Sequence, residues 1–331
     1  MCKVKLGVDV GENKAEPREF VESAILAERL GFDTFWLGDH FMPWIHSDGK
    51  SAYVWSLMAA VLERTERIPV GPDVTAPIGG RYHPAIIAQA AATLDNMYPG
   101  RFLLGVGSGE AVNEARFFQE SGRSWPRWQE RIERVVEGVE LIRRMWTSPD
   151  YFTFEGRFFK LRDIYLYTRP RTSIPIYFSA MGPKAAMYAG RFGDHLVTIA
   201  SPDRCRDVIF PKFEEGARMA GKEPNRMEKT VYFCYNTGDE DTFLKRLKAG
   251  GAGFLAKGAF DEPDPRRVEA LAGTVSDERI REHMNLCRSL EELIDVAERY
   301  IAVGADHIVF STGTSFELIR RVGEQILPRF R

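Results

Sequence analysis

The sequence predicts an α/β protein, a (β/α)8 TIM barrel with a β-hairpin insertion and loop insertions at its C-terminal face. Strand-like and helix-like apolar patterns alternate along nearly all of its 331 residues. Eight predicted strands separated by helices favour a closed parallel barrel over an open sheet. No GxGxxG motif follows the first strand, which disfavours a dinucleotide-binding sheet. This length is normal for one barrel, so we expect a single domain over residues 1–331.

The first strand and the first helix show the alternation most simply. Residues 4–10 alternate valine or leucine with other residues, which is the period-two pattern of a strand. Pro17 suits the first turn of a helix, an apolar stripe with spacings of three and four follows it, and Gly31 closes the helix. The apolar run at 34–37 then predicts a second, buried strand.

The later units repeat this pattern. The clearest helix is 128–146, because Ile132, Val135, Val139 and Ile142 lie on one stripe. The predicted strands are 4–10, 34–37, 68–75, 101–107, 174–179, 195–199, 231–235 and 307–311. The helices predicted beyond the first are 52–62, 84–97, 128–146, 184–192, 210–220 and 290–303.

Some segments depart from the alternation. In residues 151–167 aromatic residues alternate with other residues, and Glu155-Gly156 marks a turn between the two halves. This pattern is typical of a β-hairpin insertion. Residues 244–273 are glycine-rich, then acidic and proline-rich, and show no clear period. We expect the irregular segments 111–127 and 254–286 to form loops that cover the mouth of the barrel.

Composition excludes several classes of protein. The chain is 44% hydrophobic and 28% charged, with a net charge of −2, so no general attraction to nucleic acid or to anionic membranes is expected. No 18-residue apolar run predicts a membrane span, and no secretory signal opens the chain. The four cysteines, Cys2, Cys205, Cys234 and Cys287, show no metal-ligand spacing. We expect a cytoplasmic protein without a bound metal.

The end of the second strand carries the most informative residues. Asp39, His40 and Trp44 lie within six residues, at the carboxyl end of a strand, where barrels bind ligands. Each residue also has a structural interpretation: Asp39 as a cap, His40 as a core histidine and Trp44 as a plug of the barrel rim. Their combination favours a site. We interpret His46 as exposed and not catalytic, and His83 as a loop residue that opens a helix.

The ends of the third and fourth strands add further candidates. The segment 71–77 is rich in glycine and proline and predicts either a turn or a bulge that supports a planar ring. Gly107 and Ser108 allow close approach of the backbone to a ligand. Glu110 starts the next segment, where its carboxylate either faces the barrel mouth or serves as a charge at a helix N-terminus. The amide of Asn113 can form hydrogen bonds with the amide or carbonyl groups of a heterocycle.

The fifth strand ends in small residues that run into a helix, Ser179-Ala180-Met181-Gly182-Pro183-Lys184. The free N–H groups of a helix N-terminus can bind an anion, and Lys184 adds positive charge. An ordinary strand–helix turn with proline at the first helical position is the equally supported alternative.

Together these motifs resemble the bacterial-luciferase-like superfamily, and within it the branch that uses the deazaflavin coenzyme F420. The similarity covers essentially the whole chain and is strongest to the secondary alcohol dehydrogenases of that branch. The segments that carry it are Asp39-His40-Phe41-x-Pro43-Trp44, Met97-Tyr98-Pro99-Gly100-Arg101, Gly107-Ser108-Gly109-Glu110-Ala111-x-Asn113-Glu114, residues 177–184 and residues 211–218.

The resemblance implies a (β/α)8 barrel with a non-proline cis peptide at Asp73–Val74. It places His40 at the reactive carbon of the deazaflavin, with Trp44 and Glu110 facing the substrate. The residues that it implies for cofactor binding are Asp39, Asp73, Val74, Thr75, Gly107, Ser108, Asn113, Ser179, Ala180, Met181, Gly182 and Pro183. A homodimer is also implied, with Trp55, Met58, Phe117 and Trp128 as either subunit-face or core residues.

The resemblance predicts hydride transfer between a secondary alcohol, or a related hydroxyl compound, and coenzyme F420. His40 is expected to act as general base, with Glu110 as the other candidate for the proton. The alternatives are an F420-dependent sugar-6-phosphate dehydrogenase, a methylenetetrahydromethanopterin reductase and an FMN-dependent luciferase-like monooxygenase. A barrel that only binds or stores the cofactor is the non-enzymatic alternative.

Two departures from the family pattern concern the loops. Several relatives have a glutamate where this chain has Asn13, next to Glu12. The positions that we align with the sugar-phosphate ligands of the glucose 6-phosphate enzymes are Pro202, Ala270 and His283, with Arg266, Arg267 and Lys257 nearby. The match to a sugar phosphate is therefore poor.

Overall fold

The computed structural model describes residues 4–11, 15–233, 235–237, 239–287 and 289–331. Cys2, Glu12, Asn13 and Cys234 lie outside these ranges. None of the helices in the described part of the chain combines the length and the apolar character that a membrane crossing requires.

Eight parallel strands form the central sheet, as the sequence predicts. The described residues contain twelve strands in all, of which the central sheet uses eight: β1 Lys5–Asp9, β2 Thr34–Leu37, β3 Val70–Pro72, β4 Leu104–Val106, β5 Phe152–Glu155, β6 Lys160–Ile164, β7 Ile176–Ser179, β8 His195–Thr198, β9 Lys229–Phe233, β10 Tyr235–Thr237, β11 Asn285–Cys287 and β12 His307–Ser311. The strand order in the sheet is β3-β2-β1-β12-β9-β8-β7-β4. The pair β5–β6 is the predicted antiparallel hairpin, and β10–β11 is a small parallel pair.

Backbone hydrogen bonds between β3, β4 and the residues that flank them join the two ends of the sheet. Val70 N donates to Arg101 O at 2.8 Å, and Leu103 N donates to Val70 O at 2.9 Å. Beyond β3, Thr75 N donates to Gly105 O at 3.0 Å, and Gly107 N donates to Thr75 O at 2.9 Å. The sheet is therefore a closed barrel, which confirms the predicted fold class.

Helices separate the strands and cover the barrel. The α-helices of the described residues are α1 Pro17–Leu30, α2 Val54–Arg64, α3 Pro84–Met97, α4 Ala111–Glu120, α5 Trp128–Thr147, α6 Pro183–Phe192, α7 Pro202–Arg204, α8 Phe210–Met219, α9 Glu240–Arg246, α10 Pro265–Leu271, α11 Asp277–His283, α12 Leu290–Ala302 and α13 Phe316–Gln325. Gly31 ends α1 with a φ of 91°, a conformation that favours glycine.

The segment 240–283, called the cap below, has a hydrophobic cluster of its own. Its buried side chains include Phe243, Leu247, Leu255 and Val268, and Ile45 from the loop after β2 packs among them. The sequence predicts only loops for 254–286, but the structure has short helices there. Ala111–Glu120, also expected to be a loop, is α4, and its buried face includes the polar residues Asn113 and Glu114, which interrupt the apolar stripe.

Candidate active site

Two neighbouring cavities open at the carboxyl ends of the barrel strands. The first, called the His40 cavity, has a volume of about 410 Å³ and lies over the ends of β1, β2 and β3. The second, called the Gly182 cavity, has a volume of about 620 Å³ and lies between the β7–α6 turn and α5. They share the lining residues Val74, Glu110, Ser179, Met181 and Phe260. One elongated ligand can therefore occupy both.

The His40 imidazole is oriented by Asn113 on α4. Asn113 Oδ1 accepts hydrogen bonds from the backbone N–H groups of Phe41, at 2.8 Å, and Met42, at 3.2 Å. Backbone N–H groups can only donate, so the amide NH2 must point the other way. It lies 3.0 Å from His40 Nδ1 and 3.2 Å from Glu110 Oε2.

This arrangement determines the protonation of His40. Asn113 Nδ2 donates, so Nδ1 of the imidazole must be the acceptor, and the ring proton is on Nε2. Burial lowers the pKa of His40 to about 4, and the charge of Arg81 acts in the same direction. The ring is therefore neutral near neutral pH. Its Nε2–H is a hydrogen-bond donor for a ligand in the His40 cavity, which His40 lines.

Glu110 is the residue before α4 and lines both cavities. Burial raises the pKa of this carboxyl, although the hydrogen bond from Asn113 and the charge of Arg81 oppose the shift. The helix does not use the side chain as a cap. Glu110 is therefore a group that can release or take up a proton closer to neutral pH than an ordinary glutamate.

Aromatic side chains form one wall of the His40 cavity. The Trp44 ring centroid lies 6.3 Å from that of His40. Two cap residues pack on Trp44, Phe260 with centroids 5.3 Å apart and Phe254 at 6.3 Å. The wall is apolar, so it suits the carbon skeleton of a ligand and excludes water from the atoms near His40.

Asp39 belongs to a buried network of polar side chains that also includes Arg81, Tyr82 and Glu114. Arg81 Nη2 is 2.8 Å from Asp39 Oδ1, and Glu114 Oε2 accepts from the Arg81 backbone N–H at 2.7 Å. Tyr82 donates its hydroxyl to Asp39 Oδ1 at 3.2 Å. Burial raises the pKa of Glu114 to about 7 against the opposing charge of Arg81. Asp39 Oδ1 is thus bound by Arg81 and Tyr82. The ion pair with Arg81 fixes the position of Asp39, and with it the loop after β2 that contains His40.

Carboxyl groups also lie at the strand ends beneath the His40 cavity. Asp9, at the end of β1, and Asp73, after β3, both line it. Asp9 Oδ1 accepts from the backbone N–H of Gly11 at 2.7 Å, and Ser311 donates to Asp9 Oδ2 at 2.9 Å. Burial raises the pKa of Asp73, and the charges of Asp9 and Glu110 add to the shift. The polar part of this cavity is acidic.

The Gly182 cavity contains a helix N-terminus with free donors. Gly182 precedes α6 and provides no side-chain cap, and a Cβ on it would meet nothing within 4 Å. The N–H groups of Lys184 and Ala185 have no acceptor within the helix. Arg131 from α5 lines the same cavity. These features suit a bound anion.

The structure brings most of the predicted site residues together. Those that line a cavity are Asp39, His40, Trp44, Asp73, Val74, Gly107, Ser108, Glu110, Ser179, Met181, Gly182 and Pro183. The peptide bond between Asp73 and Val74 is cis, as the resemblance implies.

Three predicted cofactor-binding residues do not line either cavity. Thr75 is buried and joins β3 to β4 through its backbone. Ala180 is buried, and its N–H donates to Val197 O at 2.8 Å. Asn113 is buried behind His40, and its amide is saturated by protein groups. We therefore regard Asn113 as a positioning residue for His40 rather than as a ligand contact.

Sequence reasoning missed several residues of the site. Asp9 lies next to the end of the first predicted strand, 4–10, and is the last residue of β1, so the rule that found Asp39 could have found it. Arg81 and Tyr82 lie in the loop before α3, and no motif singles them out. Phe260 and Phe254 reach the cavity from the cap, whose irregular sequence does not predict its course.

Two histidines and two arginines that the sequence analysis considered lie outside the His40 cavity. His46 is exposed, and His83 precedes α3 with Nδ1 accepting from Ala85 N at 3.1 Å, both as predicted. Arg266 is paired with Asp264 at 2.6 Å, and Arg267 lies 3.9 Å from Glu262. Neither arginine is among the described residues that line the His40 cavity.

Of the aromatic and apolar residues considered for a subunit face, Trp55 and Met58 are buried in the core of the protein. This confirms the core interpretation for both. Phe117 and Trp128 are only partly buried.

Comparison with known proteins identifies the relatives of this chain. The family model described as luciferase-like monooxygenase matches residues 1–308. An F420-dependent glucose-6-phosphate dehydrogenase of Amycolatopsis mediterranei (strain U-32) is 34% identical over 334 residues, which are 99% of each chain. A solved F420-dependent secondary alcohol dehydrogenase, in complex with an F420-acetone adduct, is 38% identical with a TM-score of 0.90 over 99% of each chain. The coenzyme F420-dependent tetrahydromethanopterin reductase of Methanopyrus kandleri, 19% identical, shares the fold with a TM-score of 0.74, over 99% of this chain and 100% of the other.

Proposed function

Because this chain belongs to the luciferase-like monooxygenase family, we propose that it is a coenzyme F420-dependent oxidoreductase that acts on a CH–OH group. Its substrate is a secondary alcohol or a related hydroxyl compound, which it interconverts with the carbonyl compound. The observation that carries the proposal is the hydrogen-bonded series Glu110–Asn113–His40 beside Trp44, on the wall of one cavity. The F420-dependent names of the similar enzymes support the same cofactor.

The two cavities fit a long coenzyme with a planar ring and an anionic tail. Gly107 lies against Val74, and a Cβ on Gly107 would come within 2.5 Å of Val74 Cγ2, so glycine keeps this wall flat. Val74, Gly107 and Ser108 would face the ring. Ser179, Met181, Gly182 and Pro183 would hold the phosphate at the N-terminus of α6. When bound, the deazaflavin supplies a carbon that accepts or donates hydride.

We infer different roles for His40, Trp44 and Glu110. His40 Nε2–H donates a hydrogen bond to the substrate oxygen, because Nδ1 is occupied by Asn113. Trp44 Nε1–H provides a second donor at the same wall. Glu110 takes the hydroxyl proton during oxidation and returns it during reduction, since its raised pKa suits that exchange. This revises the expectation that His40 is the base, which would require a free lone pair on Nε2.

The acidic residues that line the His40 cavity disfavour a substrate that carries a phosphate group. Asp9, Asp73 and Glu110 line it, and a phosphate dianion would lie close to these carboxyl groups. The aromatic wall of Trp44, Phe254 and Phe260 suits an apolar carbon skeleton. A secondary alcohol without a phosphate therefore fits better than a sugar 6-phosphate, and a methylene-pterin is the further alternative.

A binding and turnover experiment tests the proposal. The purified protein is reconstituted without oxygen with F420 and, separately, with FMN, and the retained cofactor is measured by absorbance. The F420 form is then assayed with isopropanol, glucose 6-phosphate and methylene-tetrahydromethanopterin. We expect F420 retention and turnover of the alcohol. Retention of FMN alone would overturn the cofactor assignment, and tight F420 binding without any turnover would favour a cofactor-binding barrel.

We also propose a homodimer in the cytoplasm. The family resemblance supports the dimer, and the exposed side chains of Phe41, Tyr53 and Ile86 offer apolar surface for it, each more than half exposed. Cys205 and Cys287 are both buried and unpaired, which is compatible with a reducing compartment. Light scattering of the purified protein at several concentrations measures the stoichiometry. A monomer at every concentration would reject the dimer.

A further inference from the structure

Arg131 is a buried cation in the wall of the Gly182 cavity. It is the fourth residue of α5, and only 3% of its surface is exposed. Its guanidinium lies over the Trp125 ring, 4.5 Å from the centroid. Nη1 donates to Pro126 O at 2.8 Å and to Asp261 Oδ1 at 2.9 Å. Trp125 Nε1 donates to the same Asp261 oxygen at 2.9 Å, so the guanidinium is held in a fixed position.

The protein leaves part of this guanidinium unsatisfied. Arg131 Nε is buried and has no hydrogen-bond partner among the described residues. An unpaired buried donor on a charged group is costly, so it needs a specific cause, and a bound ligand is one such cause. Arg131 lines the cavity, and its charge is one of those that oppose the burial-driven rise in the pKa of Glu110 on the same wall. An anionic group that enters the cavity would therefore meet a guanidinium whose hydrogen bonds the described residues leave incomplete.

The positive charge of Arg131 is only partly compensated. Its ion-pair partner is Asp261, and 62% of the Asp261 side chain is exposed. Water screens such a carboxylate, which reduces the strength of the pair. Lys184 and the N-terminus of α6 also line the cavity, and they already provide donors for one phosphate. Arg131 thus provides for a second anionic group.

We propose that Arg131 forms a subsite for the carboxylate groups of the coenzyme tail, beyond the phosphate bound at α6. This inference rests on the proposed use of coenzyme F420, whose tail carries glutamate carboxylates after the phosphate. Arginine suits the role because its planar guanidinium donates in a fixed geometry that matches a carboxylate. Arg131 acts in binding and contacts no reacting atom, so its effect is on cofactor affinity.

Three forms of the coenzyme test the subsite by equilibrium binding, measured through deazaflavin fluorescence. They are the complete coenzyme, a form that ends at the phosphate, and the deazaflavin with its ribityl chain but without phosphate. We expect Arg131→Gln to weaken binding of the complete coenzyme about tenfold, the size of one charge-assisted hydrogen bond. The two shorter forms should bind Arg131→Gln as they bind the wild type.

Two further variants separate the subsite from general effects. Lys184→Gln should weaken the complete and the phosphate-ended forms alike, because it acts at the phosphate. Arg127→Gln is the matched control: Arg127 lies one turn earlier, is exposed, and is not among the residues that line the Gly182 cavity. It should leave all three affinities unchanged.

The outcomes are distinct. If Arg131→Gln weakens all three forms equally, or none, Arg131 is structural and the subsite is rejected. If Arg131→Gln does not fold, the affinities of the wild-type protein are compared instead. The subsite requires the wild type to bind the complete coenzyme about tenfold more tightly than the phosphate-ended form. Equal wild-type affinities reject the subsite. Failure of every form to bind would instead reject the proposed function.

Discussion

At the scale of single residues, the side chain of Asn113 links His40 and Glu110, the groups that we propose to handle the substrate oxygen. Its Oδ1 accepts from two backbone N–H groups, of Phe41 and Met42, so its NH2 is committed to His40 and Glu110. An amide in this position makes His40 a neutral donor, which is why we propose Glu110 for the proton exchange. A buried residue with no ligand contact therefore decides the roles of two that line the cavity.

The protonation of His40 can be observed directly. With its pKa lowered to about 4, the ring should stay neutral from about pH 5.5 to 8, with the proton on Nε2. Nitrogen NMR of histidine-labelled protein reports which ring nitrogen is protonated. In Asn113→Asp the carboxylate cannot donate, so we expect His40 to carry a proton on Nδ1.

His83 and His195 serve as internal references in the same spectra. Their Nδ1 atoms accept from the backbone N–H groups of Ala85 and Glu228, so both should show the Nε2–H form in wild type and variant. A proton on Nδ1 of His40 in the wild type would contradict the arrangement described here.

The pH dependence of alcohol oxidation should report Glu110 and not His40. Oxidation needs the Glu110 carboxylate, so kcat/KM should fall as the pH drops through its raised pKa. Glu110→Gln should lower kcat at least about a hundredfold and abolish this inflection. His40→Gln should also slow turnover but keep the inflection, because the imidazole is already neutral in this range. Loss of the inflection in His40→Gln alone would reassign the proton to histidine.

Residue-level prediction from sequence works where a simple rule applies. His40, Trp44 and Glu110 follow strands, and all three line a cavity. Thr75 and Ala180 follow strands too, yet both are buried away from the cavities. A single sequence does not give the direction of a side chain after a strand ends, because the local turn sets it. Arg81 could not be predicted, because its importance comes from two buried carboxylates distant in sequence.

At the scale of elements, the backbones of α6 and α8 are in close contact at a pair of glycines, Gly190 and Gly216. A Cβ on Gly190 would lie 1.9 Å from Phe213 O, and one on Gly216 would lie 2.0 Å from Met187 O. Both obstacles are backbone atoms, which cannot rotate away. The N-terminus of α6, where we propose that the cofactor phosphate binds, lines the Gly182 cavity, so this crossing helps to place that cavity.

Alanine at either glycine should therefore separate the two helices. We expect Gly190→Ala and Gly216→Ala each to lower the free energy of unfolding by roughly 2–4 kcal/mol, as measured by urea denaturation. Gly273→Ala is the control, because a Cβ there meets nothing within 4 Å. It should change stability by less than about 0.5 kcal/mol. Wild-type stability in Gly190→Ala would show that the helices can move apart freely.

Elements with a regular period were predicted with accurate bounds, and the others were not. The helix 84–97 coincides with α3, and the strand 34–37 with β2. The cap was not predicted, because its short helices are held by a local cluster that includes Ile45, far away in sequence. Sequence periodicity describes one element at a time and does not contain such contacts.

At the scale of the whole molecule, a polar network ties together the strands at the end of the barrel opposite the cavities. Glu228, just before β9, lies 2.6 Å from His307 Nδ1 on β12 and 2.6 Å from Lys5 Nζ on β1. Tyr177 on β7 donates its hydroxyl to Glu228 at 3.2 Å. His307 Nε2 lies 2.8 Å from the hydroxyl of Thr34 on β2. The Glu228 carboxylate therefore links β9, which follows it, with β1, β7 and β12 directly, and with β2 through His307.

Glu228 should make the stability of the barrel depend on pH. Burial opposes its ionisation, but His307 and Lys5 outweigh that effect, and the pKa of Glu228 is lowered. A carboxyl with a lowered pKa in the folded state stabilises above its unfolded pKa of about 4.3, and that contribution is lost as the pH falls through the folded pKa. The network should thus contribute fully at neutral pH and weaken only in acid.

Glu228→Gln tests this by removing the charge while keeping the shape of the side chain. At pH 7 we expect a loss of roughly 2–4 kcal/mol in the free energy of unfolding, because His307, Lys5 and Tyr177 lose a charged acceptor in a largely buried position. Urea denaturation at pH 7, 5 and 3.5 should show the difference from wild type shrinking at the lowest pH. Glu223→Gln, at an exposed ion pair with Arg226, should behave as wild type throughout. An equal difference at every pH would mean that the carboxylate charge is not what joins these strands.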